Sequence, residues 1–194
     1  MRKPVSAIVA AVIGSAAMFG SVHAADVNLK VGDKAPVFTA KDDTGKEFKS
    51  TDVVGKKFVV VYFYPADLTG GCTAQACGFR DDLSKLTEKD VLVLGVSGDS
   101  VENHQIFKKE KDLNFPLLAD EDGAVAKAFG VPVSPGGVAK VMAGGKQIEL
   151  RQGVRAKRWT FLIDKEGKIA LKNEMVKAAD DSKAILKKIE ELKK

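Results

Sequence analysis

The chain has 194 residues, of which 45% are hydrophobic and 29% charged, with a formal net charge of +5. Nothing in such a composition points to disorder, and it leaves enough apolar material for one domain with a sizeable core. The basic excess is mild and not gathered into an arm. Runs such as Lys108-Lys109 and Lys187-Lys188 are interleaved with Glu and Asp as on solvated helix faces, which gives nucleic-acid binding no support.

Arg2 and Lys3 open the chain, an apolar run follows from Val5 to about Phe19, and Val22 and Ala24 place small residues at −3 and −1 of a cut. This is the pattern of a cleavable secretory signal over residues 1–24. The alternative is an uncleaved anchor, but roughly 15 apolar residues fall short of the ~20 that span a bilayer. Removing Arg2 and Lys3 would lower the net charge from +5 to +3. The expectation is an exported protein, in the periplasm or outside the cell, with residues 25–194 as its one domain and no membrane contact after cleavage. Both cysteines, Cys72 and Cys77, lie in that domain, and in an oxidising compartment a thiol pair is a structural or functional disulfide. A single histidine, His104, remains after the cut, which limits metal binding and imidazole catalysis alike.

Phe38-Thr39-Ala40 and Glu47-Phe48 flank Asp42-Asp43-Thr44-Gly45 as a hairpin. Phe58 to Tyr64 is a strand buried on both faces, ended by Pro65. A helix is predicted from about Cys72 to Leu86, with Ala76, Phe79, Leu83 and Leu86 on one face. Val91–Val96 is a second strand, and Ser100 caps a helix to about Lys111. Pro116–Ala119 makes a short strand and Glu121–Phe129 a short helix. Residues 131–156 are rich in Pro and Gly around two strand-like stretches, Val138–Met142 and Gln147–Arg151, and read as an inserted β-hairpin. Trp159–Ile163 and Lys168–Lys172 form a hairpin around Asp164-Lys165-Glu166-Gly167, and Asp181–Lys194 is an amphipathic closing helix. The order is that of an α/β domain with a mixed central sheet.

The chemistry concentrates at the end of the first buried strand, where Pro65-Ala66-Asp67-Leu68-Thr69-Gly70-Gly71 leads into a helix at Cys72. A helix's first turn has unpaired N–H groups and the positive end of the macrodipole, and both favour the thiolate, which is the nucleophile. Cys77, inside the helix, lacks that advantage. On a regular helix residues five apart have Cα atoms ~8.6 Å apart, whereas a disulfide needs about 4.4–6.8 Å. Two helical cysteines at this spacing can bond only after the helix partly unwinds, which suits a catalytic cycle better than a static bridge. A static bridge remains open if the helix begins after Cys77.

Pro65-x-x-x-Thr69-x-x-Cys72 resembles the peroxiredoxin active-site motif. Gly71-Cys72-Thr73-x-x-x-Cys77-Gly78-Phe79-Arg80-Asp81 is similar to the bacterioferritin comigratory protein branch, also called the Q-type peroxiredoxins. The likeness continues through Gly95–Ser100, His104, Phe107 and Phe115–Asp120, and resumes at Arg158–Asp164. It implies a thioredoxin-like fold and a thiol-dependent peroxidase without organic cofactor or metal, acting on hydrogen peroxide and organic hydroperoxides. Cys72 would be the peroxidatic cysteine and Cys77 the resolving one. Thr69 would hydrogen-bond the thiolate and the incoming peroxide, Pro65 would shield the site from water, and Arg158 would hold the thiolate and polarise the peroxide. Arg155 is the alternative to Arg158. The implied partners are a hydroperoxide and a thioredoxin-like or other dithiol reductant, with the protein a monomer or weak homodimer. Two features depart from the pattern: Trp159 stands where a small residue is usual, and the 131–156 stretch is long for this branch. The competing readings are a thioredoxin-fold copper-binding assembly protein using two Cys and His104, a disulfide exchange factor, and a non-catalytic partner-binding domain. The first two use closer cysteine spacing than the four intervening residues found here.

Overall fold

The structure is a computed structural model that describes residues 27–193, so the expected secretory segment 1–24 lies outside it. In chain order the elements are β1 (Thr39–Asp42), β2 (Glu47–Lys49), β3 (Phe58–Phe63), α1 (Gly70–Glu88), β4 (Val91–Ser97), α2 (Val101–Lys111), β5 (Leu117–Ala119) and α3 (Ala124–Ala128). There follow β6 (Val133–Ala143), β7 (Lys146–Ala156), β8 (Trp159–Ile163), β9 (Ile169–Asn173) and α4 (Asp181–Leu192), with short 3-10 turns at Ser50–Asp52 and Ala178–Asp180.

Seven strands form one mixed sheet in the order β2-β1-β5-β4-β3-β8-β9. The centre is parallel, β3 beside β4 and β4 beside β5, because α1 and α2 return the chain across the sheet between them. The flanks are antiparallel, with β1 between β2 and β5 on one side and β8 between β3 and β9 on the other. Every residue of β3 is buried, and its side chains alternate strictly. Val60 and Tyr62 join a core with Phe79 of α1, Phe107 of α2 and Ile185 and Ile189 of α4. Val59, Val61 and Phe63 join the opposite core with Val125, Phe129 and Phe161. A continuous apolar run of strand length is what burial on both faces requires. Each such side chain contributes on the order of 1.5–3 kcal/mol when removed from water.

Four elements depart notably from their expected bounds. Helix α1 starts at Gly70, two residues before Cys72. Helix α3 is shorter than Glu121–Phe129, because the Asp120 carboxylate accepts the backbone N–H groups of Val125 and Ala126, each at 2.8 Å, and fixes the helix start after Gly123. The strands of the 131–156 stretch extend beyond their predicted cores to form an eleven-residue antiparallel ribbon, β6 with β7. The ribbon's root rests on the end of β4: Gly153 N–H donates to the Gly98 carbonyl at 2.9 Å, and Asp99 bridges to Gln152. A Cβ on Gly98 would run into the Val154 carbonyl and one on Gly153 into that of Glu121, so glycine is what permits the approach. At the ribbon's tip, Gly144 N–H donates to Glu110 of α2 at 2.9 Å.

Candidate active site

The chain leaves β3 at the C-terminal edge of the parallel strands, and Pro65–Thr69 turns it into α1. The turn depends on Leu68, which adopts the left-handed conformation at φ 58°, a strain typical of functional loops. Thr69 is then the extended N-cap residue, but its hydroxyl makes no cap bond. Its proton is directed instead at the Ala66 carbonyl, 2.9 Å away. The first intrahelical bond at this end runs from Thr73 N–H to the Thr69 carbonyl, so the N–H groups of Gly70, Gly71 and Cys72 have no partner within the helix.

Cys72 is thus the third residue of α1 rather than its first, still inside the turn with unpaired donors. Its side chain is 2% exposed. Arg158, just before β8, donates from Nη2 to Cys72 Sγ at 3.2 Å. Gly71 leaves room for that guanidinium, since a Cβ there would lie 3.3 Å from Arg158 Nη2. Arg158 also donates from Nη1 to Gln75 Oε1 at 2.5 Å. A planar fork with one prong on sulfur and one on an amide oxygen is a fixed positive charge aimed at the Cys72 sulfur. Arg155 donates instead to Gln152 at 3.2 Å and lines an adjoining cleft of about 390 Å³ with Pro65, Pro132, Val133 and Arg158. The expected contact between Thr69 and the sulfur is absent among the described residues, and the group within hydrogen-bonding reach of Sγ is Arg158. Thr69 lines a second, larger cleft, about 590 Å³, with Leu68, Thr73 and the ribbon residues Lys140, Val141 and Met142.

Cys77 is also in α1, half-buried, and both thiols are free. With both cysteines helical, their Cα atoms are held apart by the helix itself, at ~8.6 Å for five residues. Trp159 does not enter the site. Alternation along β8 puts Arg158 and Thr160 on the α1 side and Trp159 on the other, against Phe161 at 6.2 Å between ring centroids, with Lys172 4.7 Å over its ring.

His104 is wholly buried, and its Nδ1 lies 2.8 Å from Asp67 Oδ2. Asp67 in turn accepts the Tyr64 hydroxyl at 2.7 Å and donates its N–H to Asp99 at 3.0 Å. Asp99 also takes the Ser97 hydroxyl and the Asn103 amide. Burial opposes charge on His104, but Asp67 outweighs it and the imidazole pKa is raised. Burial, joined by the Asp67 charge, pushes the Asp99 carboxyl up to about 6. This cluster fastens the Pro65–Thr69 turn to β4 and α2. His104 is thereby a structural group, committed to Asp67 through one ring nitrogen. No local sequence signal joined Asp67 to His104 or Arg158 to Gln75; those pairs are 37 and 83 residues apart.

A thioredoxin-like sheet that presents one buried sulfur at the first turn of a helix, under an arginine, defines a thiol peroxidase of the peroxiredoxin class. Comparison with known proteins agrees. The profile of the AhpC/TSA family matches residues 31–172. A protein named as a putative peroxiredoxin in Coxiella burnetii is 44% identical over 144 residues, covering 74% of this chain and 87% of its own. Peroxiredoxin Bcp of Bacillus subtilis is 39% identical over 154 residues, covering 79% and 90%. Among solved structures, the peroxidoxin BcpB of Mycobacterium tuberculosis superposes with a TM-score of 0.70 at 30% identity, covering 85% of this chain and 99% of that one. The bacterioferritin comigratory protein of Xanthomonas campestris, studied for its alkyl peroxide reduction, gives 0.65 at 30%, covering 81% and 92%. The chain belongs to the AhpC/TSA family, within its bacterioferritin comigratory protein or Q-type peroxiredoxin branch. It is a peroxiredoxin that reduces hydroperoxides at the expense of a thiol reductant.

Proposed function

We propose that Cys72 is the peroxidatic cysteine, that Cys77 resolves it, and that Arg158 is the group that activates both sulfur and peroxide. The observation that carries this reading is the 3.2 Å contact between Arg158 Nη2 and the buried Cys72 Sγ at the start of α1. The thiolate attacks the terminal oxygen of ROOH. The O–O bond breaks, an S–O bond forms, and the departing alkoxide takes up a proton to leave as ROH, giving Cys72 sulfenic acid. Arg158 and the free N–H groups of the first turn are the donors available to the developing negative charge. Thr69, whose proton is engaged by Ala66, offers its oxygen to the hydroxyl of the incoming peroxide. Pro65 walls the sulfur from bulk water.

Cys77 then attacks the Cys72 sulfur. The S–O bond breaks, an S–S bond forms and water leaves; an external dithiol, thioredoxin-like in kind, returns both thiols by exchange. Hydrogen peroxide and organic hydroperoxides are both substrates in this reading, and the protein works outside the cytoplasm after loss of residues 1–24. Intact-mass measurement after one equivalent of peroxide tests the mechanism. The wild type should lose two mass units, and Cys77→Ser should hold one added oxygen. Failure of Cys72 to oxidise under these conditions would overturn it. Amino-terminal sequencing of the protein recovered from the producing cells tests export; a chain that still begins at Met1 would refute cleavage near Ala24.

A further inference from the structure

Behind Arg158 lies a run of buried side chains with no part in the steps above. Gln75, fully buried, stands between the two cysteines on α1. Its amide can serve Arg158 only with the oxygen turned toward the guanidinium. What fixes that orientation is the other end of the amide: Nε2 donates to Asp181 Oδ2 at 2.7 Å. Asp181, the first residue of α4 and 2% exposed, accepts the Thr160 hydroxyl on the same oxygen, also at 2.7 Å. Its other oxygen, Oδ1, is buried without a partner. A carboxyl group in this situation carries an unrecovered desolvation cost, which sets it apart from an ordinary structural acid.

Gln75 also belongs to the stretch of α1 that must unwind before the sulfurs can meet. While it bridges Arg158 and Asp181, that turn is tied to β8 and α4 at once. We propose that Asp181 is a positioning residue of the peroxidase site: by orienting the Gln75 amide it aims Arg158 at Cys72, and by anchoring Gln75 it latches α1 in the wound form. Release of the latch then sets the rate at which Cys77 captures the sulfenic acid. This rests on the assignment of Cys72 and Cys77 above.

Two steps are followed after rapid mixing with peroxide, by acid quench and intact mass: gain of one oxygen, then its loss as water with closure of the disulfide. In Asp181→Leu the first step should slow and the second accelerate, each by about 5-fold, the scale of one buried hydrogen bond. Asp181→Asn keeps an amide oxygen for Gln75 and Thr160 and should restore both rates to within about 2-fold of wild type. A folded Asp181→Leu with both rates unchanged would overturn the proposal, as would Asp181→Asn as impaired as Asp181→Leu. If Asp181→Leu does not fold, Gln75→Glu takes its place. Glu keeps an oxygen for Arg158 but opposes Asp181 with a like charge, so capture should quicken, and adding Asp181→Asn should reverse it because the new amide can donate to Glu. Absence of that reversal would equally overturn the proposal. A wild type that never closes the disulfide would sink the two-cysteine reading itself; one that closes it normally while the variants behave identically would sink the Asp181 assignment alone.

Discussion

At the scale of single residues the chemistry depends on where charge is placed around one sulfur. Cys72→Ser should abolish peroxide consumption, and Cys77→Ser should allow one turnover and then stall, as read by peroxide loss per mole of protein. Arg158→Met keeps much of the side chain's bulk but removes both donors. Loss of a donor aimed at developing charge costs roughly 10²–10³ in rate, so the first step should slow by about that factor, measured by stopped-flow under single turnover. Arg158→Lys should recover little, since an ammonium cannot reach sulfur and Gln75 together as the guanidinium fork does. Cys72 was legible because a thiol that follows Pro, Thr and two Gly at a strand end falls in a helix's first turn, among unpaired backbone N–H groups. Arg158 was legible only through family likeness, for by itself it is one basic residue beside a strand. Gln75, Thr160 and Asp181 were not legible at all. They meet across 21 to 106 residues of chain, and no local pattern encodes such a meeting.

At the scale of elements, strand and helix periodicity carried most of the reading, and the exceptions have identifiable causes. Helix α1 begins earlier than propensity suggests, since Gly70 and Gly71 are poor helix formers. Packing overrides propensity there, because Arg158 lies where a larger residue at 71 would intrude. Helix α3 begins later because a carboxylate upstream, Asp120, takes over its first donors. Strand β4 holds a glycine for a reason of packing. A Cβ on Gly95 would sit 2.7 Å from the Tyr62 hydroxyl and 2.8 Å from Leu117, and Tyr62 is itself stacked on Phe79 with ring centroids 4.9 Å apart. Gly95→Ala should therefore lower stability by roughly 1–3 kcal/mol, the usual cost of overpacking, seen as a lower denaturation midpoint at unchanged slope. In α1, oxidation by one equivalent of peroxide should reduce far-ultraviolet helical ellipticity reversibly, with full recovery on adding dithiothreitol. A disulfide formed without loss of helix would contradict the unwinding step.

At the scale of the whole molecule, the two cores on either side of the sheet are apolar, but one buried polar cluster joins the Pro65–Thr69 turn, β4 and α2. The folded-state pKa of Asp99, about 6 against 3.8 for the free side chain, means the folded chain keeps a proton that the unfolded chain releases between those values. His104 acts in the same direction: its pKa is raised from 6.5, so its contribution is present below that value and lost as pH climbs through the folded one. Stability should thus increase as pH falls from about 7 to about 5, with Asp99 alone supplying roughly 1 kcal/mol. Asp99→Asn should flatten this dependence in denaturant titrations at several pH values. A melting point that falls over that range in the wild type would contradict the assignment.

The seating of the β6–β7 ribbon has a consequence for how the protein can diversify. Its base is bound to the main sheet through backbone contacts that tolerate only glycine, whereas the Gly144-Gly145 turn at the far end has open space around both residues. Added chain therefore has room at one end of the ribbon and none at the other. Loops or affinity tags spliced in at the distal turn should leave turnover intact, while a single methyl group added at Gly98 or Gly153 would dislodge the whole appendage.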